Sequence, residues 1–118
     1  SKLRQHLDSH GCSDISISPG IEGENPARTP LDLSFVEVVS EAAREVYGVS
    51  PVIVPSMAGS GPMYSFTDTL GLPTVLIGVM YPDSRPHAPD ENIRLADFIL
   101  GAKHIAAVME RMASNSTT

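Results

Sequence analysis

Two short stretches hold side chains able to do chemistry. The first is Ala58-Gly59-Ser60-Gly61-Pro62. Small residues let backbone N–H groups approach a guest closely, and a helix is expected to begin just after them. Phosphate or carboxylate is the natural guest of such a turn. A tight turn with no guest is the plainer reading of so short a glycine motif. Ser60 as a nucleophile fails on pattern. An elbow needs Gly two residues before and two after the serine, and Ala58 and Pro62 stand there. No Lys follows the glycines, so a P-loop is excluded. The second stretch is Ser84-Arg85-Pro86-His87-Ala88-Pro89-Asp90-Glu91. Pro86 and Pro89 stiffen the chain around His87, whose imidazole suits a metal or stays solvated. Asp90 reads as a helix N-cap, with Glu91 favourable to the dipole. Arg28 offers a carboxylate clamp, or simply a solvated cation. His6, His10 and His104 read as surface residues on helix faces or ends.

These side chains need elements to position them. Leu3 and Leu7 predict a first helix, stopped at Gly11. Residues 13–18 alternate polar and apolar, as a half-buried strand does. Residues 19–29 carry Gly20, Gly23, Asn25 and Pro26 and read as a linker. Thr29 as N-cap and Pro30 at the first turn then open a helix. Its stripe is Leu31, Phe35, Val38, Val39, Ala42 and Val46, and Gly48 ends it. Residues 52–54 predict a short strand between Pro51 and Pro55. Residues 62–70 predict a short helix closed by Gly71. Residues 74–79 are apolar on both faces, the mark of a central parallel strand. The last helix is expected after Asp90, with Leu95, Phe98, Ala102, Ile105, Met109 and Met112 on its core stripe.

The order implies an α/β fold with parallel pairing. Three strands are too few for a typical sheet of about 5–6. The expected fold class is therefore an incomplete three-layer α/β sandwich, with strands supplied from elsewhere. Exposed strand edges recruit other chains, so a homo-oligomer is expected.

Composition narrows the function. The chain has 118 residues, a net charge of −6, and 42 % apolar residues. That excludes disorder, and the acidic balance argues against nucleic acid. No apolar run approaches the roughly 20 residues of a membrane span, so no membrane partner is expected. Ser1-Lys2-Leu3-Arg4 opens no apolar h-region, so no signal peptide is expected. A single cysteine, Cys12, excludes an internal disulfide and a multi-Cys zinc site. A reducing, cytoplasmic setting follows as an expectation.

Taken together, the two motifs resemble a known family. Gly59-Ser60-Gly61-Pro62 is similar to the Gly-Gly-Ser-x-Pro loop of the zinc-dependent aminoacylase, carnosinase and carboxypeptidase G family. His87-Ala88-Pro89-Asp90-Glu91 is similar to its His-x-x-Asn-Glu motif. Ala58 replaces the first glycine of the loop, and Asp90 replaces Asn. The resemblance covers essentially the whole chain and leans to the dipeptidase side. It implies that residues 1–18 end the lid (dimerisation) domain, 19–29 link, and 30–118 close the catalytic domain. It implies that His87 is a ligand of one of two zinc ions. It assigns Gly59, Ser60 and Gly61 to the substrate's terminal carboxylate or nearby backbone; Arg28, read from its residue type alone, is a weaker substrate-binding candidate. The implied reaction is cleavage of dipeptides or N-acyl amino acids by zinc-activated water. The family's Glu-Glu pair, one source of its other ligands and general base, does not occur in these 118 residues, and the one His-x-Asp spacing, His6-Leu7-Asp8, falls in the segment the resemblance gives to the lid. The chain is thus expected to be the C-terminal portion of such an enzyme, to lack its N-terminal part, to contain no catalytic residue and to be inactive alone. The alternative is a non-catalytic α/β binding or assembly module with an anion site at the glycine loop.

Overall fold

The computed structural model describes residues 1–18, 23–57, 59 and 61–115. Three α-helices order the chain: α1 (Lys2–Ser9), α2 (Ser34–Tyr47) and α3 (Leu95–Asn115). A π-helical turn, Ser65–Thr69, lies between α2 and α3. Glycines stop the elements where expected: Gly11, Gly48 and Gly71 adopt φ of 73°, 71° and 67°. The left-handed region costs glycine nothing.

The expected α/β sandwich is not the fold. Among the described residues there is no strand and no sheet. The segments 13–18, 52–54 and 74–79 contain no strand residue and have no partner strand. β-branched residues favour extended backbone, but a strand also needs a neighbour's N–H and C=O groups. None is supplied here. Segment 74–79 still shows the pleat. Val75 and Ile77 pack against the helices, whereas Leu76 between them is 60 % exposed. Segment 52–54 is fully outward, with Val52 89 % exposed.

The core lies between α2 and α3, the one pair of helices in contact among the described residues. Val39, Ala42 and Val108 form its centre, flanked by Phe35, Val38, Val75, Ile77 and Ala107. The α2 stripe is close to the expected one. On α3 the period is right and the phase is wrong. Phe98, Ile105, Met109 and Met112 face outward, His104 and Val108 face α2, and Gly101 is buried. Ala42 and Ala43 on α2 and Gly101 on α3 are buried, and Ala42 packs with Val108 in the core cluster. A Cβ built on Gly101 would lie 2.2 Å from Val79 Cγ1, so segment 74–79 also presses on α3 at that residue.

His104 is not a surface residue. It is 4 % exposed, donates from Nε2 to the Val39 carbonyl at 2.9 Å, and meets the Tyr47 ring edge-on at 5.6 Å. It ties the two helices by a polar contact inside an aliphatic core. His6 and His10 are exposed as expected.

Thr29 also has a different job. α2 starts at Ser34 behind Leu33, which makes no side-chain cap. Thr29 Oγ1 instead donates to the Thr74 carbonyl at 2.7 Å and accepts from the Thr74 N–H at 3.0 Å. One hydroxyl thus anchors the approach to α2 onto the start of segment 74–79. Thr29→Val is expected to cost about 1–3 kcal/mol, because it strands a half-buried donor and acceptor. Amide exchange at Thr74 measures this: it should accelerate in the variant, and unchanged protection would contradict the anchor.

The chain exposes 9492 Å² of surface. A folded monomer of 12.6 kDa is expected to expose about 6,200 Å². Much of the excess is apolar, on segment 52–54, Leu76, Met80 and the outer stripe of α3.

Candidate metal-ligand loop

The loop that carries His87 runs from Tyr81 to Asn92 and is closed by hydrogen bonds. Asn92 N–H donates to the Ser84 carbonyl at 3.0 Å. Asn92 Nδ2 donates to the carbonyls of Asp90 at 2.9 Å and Asp83 at 3.3 Å. The Tyr81 hydroxyl donates to Asn92 Oδ1. Ser84, only 1 % exposed, accepts the Tyr81 N–H on Oγ at 3.1 Å and donates from Oγ to the Tyr81 carbonyl. The Arg94 guanidinium sits 3.9 Å from the centre of the Tyr81 ring, a cation–π contact that fixes the stem.

His87 stands inside this closure. It is exposed, and no hydrogen bond engages its ring among the described residues. Its φ is +62°, and Arg85 and Asp90 lie at +51° and +62°. L-residues enter the left-handed region at a cost of roughly 1–2 kcal/mol each. Three in six residues mark a loop held in shape by its surroundings. Asp90 is therefore not the N-cap of the last helix, which begins five residues later at Leu95. Its carboxylate reaches Arg85 at 3.5 Å, an exposed pair of little energetic weight.

A metal site fits this chain only in part. A free, exposed imidazole on a stiff loop suits ligation. Yet no group of three His, Cys, Asp or Glu able to hold a metal occurs among the described residues. A catalytic zinc takes about three protein ligands. His87 offers one such donor, and the described residues bring no second and third beside it.

The glycine motif is only partly visible. Ala58 and Ser60 lie outside the described residues. The Gly59 N–H donates to the Met57 carbonyl at 3.0 Å, so that donor is engaged within its own turn. The helical turn that follows is five residues long, too short for a macrodipole to hold an anion. Arg28 is exposed and lines a small cavity of about 130 Å³ with Thr29, Thr67 and Leu72. His87 lines neither this cavity nor the acidic groove of about 540 Å³ between α2 and α3.

The sequence singles out His87 as a candidate but not the residues that close its loop, Tyr81, Ser84 and Asn92. The signal was present: Pro82, Asp83, Ser84 and Asn92 are residues that close turns with their own side chains.

The chain resembles the crystal structure of an M20 family metallo-carboxypeptidase from Sulfolobus solfataricus, at 31 % identity and a TM-score of 0.66. The match covers 90 % of this chain and 24 % of that one, so the chain spans about a quarter of that enzyme's length. Residues 10–111 match the model of peptidase family M20/M25/M40, and the chain belongs to that family. No curated protein matches it. No helix among the described residues is long and apolar enough to cross a membrane.

Proposed function

We propose that this chain is part of a metal-dependent hydrolase that cleaves the amide bond of dipeptides or N-acyl amino acids. The observation that carries the reading is His87, an exposed and unengaged imidazole on a closed loop, in a chain of the M20/M25/M40 family. His87 is one ligand of one of two zinc ions. Bound zinc supplies Lewis acidity for amide hydrolysis. The remaining ligands and the general base come from the N-terminal part of the same enzyme. The finer kinship is with the aminoacylase, carnosinase and carboxypeptidase G enzymes, on their dipeptidase side.

Gly59, Ser60 and Gly61 take the substrate's terminal carboxylate, with Arg28 as a weaker contributor. Ser60 offers a hydroxyl, and the glycines leave room for close approach. Residues 1–18 end the lid domain, 19–29 link, and 30–118 belong to the catalytic domain. Among the described residues α1 packs against neither α2 nor α3, which supports this division. The free thiol of Cys12 fits a cytoplasmic setting.

The isolated chain should hydrolyse nothing and bind zinc only weakly, because one imidazole is not a site. It should also self-associate. Its surface excess over a compact monomer is about 3,300 Å², more than a standard interface of about 1,600 Å² needs. Light scattering at micromolar concentration should give a dimer or larger species; a clean monomer would contradict this. Zinc titration followed by dipeptide assay tests the rest. Zinc-dependent cleavage by the pure isolated chain would overturn the division of labour, and chelator-insensitive cleavage by the complete enzyme would overturn the metal.

A further inference from the structure

We propose that Asn92 is a positioning residue for His87, acting through the loop and not by touching a reacting atom. The inference rests on His87 being a metal ligand. Three observations point to it.

First, the loop needs external support. Arg85, His87 and Asp90 all sit at positive φ, and none is glycine. Left to itself, the backbone would relax to ordinary φ and turn the imidazole elsewhere.

Second, Asn92 supplies that support from a single side chain. Its Nδ2 holds the carbonyl of Asp83 before His87 and that of Asp90 after it. Its Oδ1 accepts from the Tyr81 hydroxyl at the loop's entrance. Its backbone N–H holds Ser84, the one buried residue of the loop. The carboxamide therefore clamps both stems, with His87 between them.

Third, the clamp does little for the core. Asn92 is exposed, and the core cluster contains no residue of this loop. Exposed hydrogen bonds contribute little to global stability. A device that is costly to arrange and weak in stabilisation fits a role in aiming a side chain.

The test uses the complete holoenzyme and two variants, Asn92→Ala and Tyr81→Phe, with His87→Ala as the reference. Zinc affinity is read by chelator competition, alongside thermal midpoint and kcat at saturating zinc. Asn92→Ala should weaken zinc binding by about 10-fold, the low end of the range for groups bonded directly to a ligand, because Asn92 acts through the loop backbone. Tyr81→Phe removes one hydroxyl and keeps the ring under Arg94, so it should shift affinity in the same direction by less. Both should unfold at the parent's temperature. A second readout needs no metal: the Ala88 amide, bonded to the Arg85 carbonyl at 3.1 Å, should exchange faster in Asn92→Ala. Unchanged zinc affinity and unchanged Ala88 exchange would overturn the proposal. So would a loss of affinity that merely tracks a fall in thermal midpoint. If His87→Ala itself leaves zinc affinity intact, the ligand assignment fails. If His87→Ala weakens it and Asn92→Ala does not, only the positioning role fails.

Discussion

His87→Ala in the complete enzyme is expected to lower kcat/KM by more than about 100-fold while leaving the fold intact. The imidazole is exposed and belongs to no core, so its loss opens no cavity. Under the proposed assignment, what it removes is one of about three protein ligands of a catalytic zinc. His87→Gly separates the two roles further. Glycine relieves the positive φ of +62°, a gain of roughly 1–2 kcal/mol. The chain entropy of glycine takes back about 0.5–1 kcal/mol. The variant should therefore be as stable as the parent or slightly more so, and equally inactive. Steady-state kinetics with urea unfolding on the same samples reads both. A residue kept for structure would give the opposite pattern, with stability lost and activity retained per folded molecule.

Gly101→Ala is expected to destabilise the fold, against the usual trend. In an exposed helix interior, replacing Gly by Ala gains about 1 kcal/mol. Here the new methyl would sit 2.2 Å from Val79 Cγ1, inside van der Waals contact. Valine is stiff at χ1 and cannot swing the methyl away freely. Forced overpacking of this kind costs about 1–3 kcal/mol. Segment 74–79 or α3 must shift, and Val75 and Ile77 are drawn away from the α2–α3 core with it. The expected net loss is up to about 2 kcal/mol, read as a lower urea midpoint of the helical signal. Combining it with Val79→Ala should recover most of that loss, because the clashing methyls are gone. A Gly101→Ala chain more stable than the parent would show that α3 and segment 74–79 do not meet as described.

The helices were legible because their signals are local. Leu3 with Leu7, the stripe from Phe35 to Val46, and the glycines that end each run all depend on near neighbours. The sheet was misread for the converse reason. Residues 52–54 and 74–79 have the composition of buried strands, yet composition cannot name the partner that supplies the ladder, and none is described. α3 shows a subtler limit. Two stripes share its period, one rich in Phe98, Ile105 and Met109, the other built on Gly101, His104 and Val108. Hydrophobicity favours the first, yet the second is the buried one, with Val108 packed on Val39 and Ala42, His104 bonded to the Val39 carbonyl, and Gly101 against Val79. Thr29 and Asp90 were read as caps because a cap is the commonest use of those residues before a helix. Both have long-range or loop partners instead. At the site, His87 stood out by its neighbours Pro86 and Pro89. Its supports did not, because Tyr81, Ser84 and Asn92 meet only once the loop has closed.

The central claim is that this chain contributes His87 to a metal. Anomalous scattering at the zinc edge, from crystals of the complete enzyme, tests it most directly. The expected result is a zinc peak about 2.0–2.1 Å from one ring nitrogen of His87, with the Tyr81–Asn92 closure intact. A fully occupied zinc site with His87 free in solvent would contradict it.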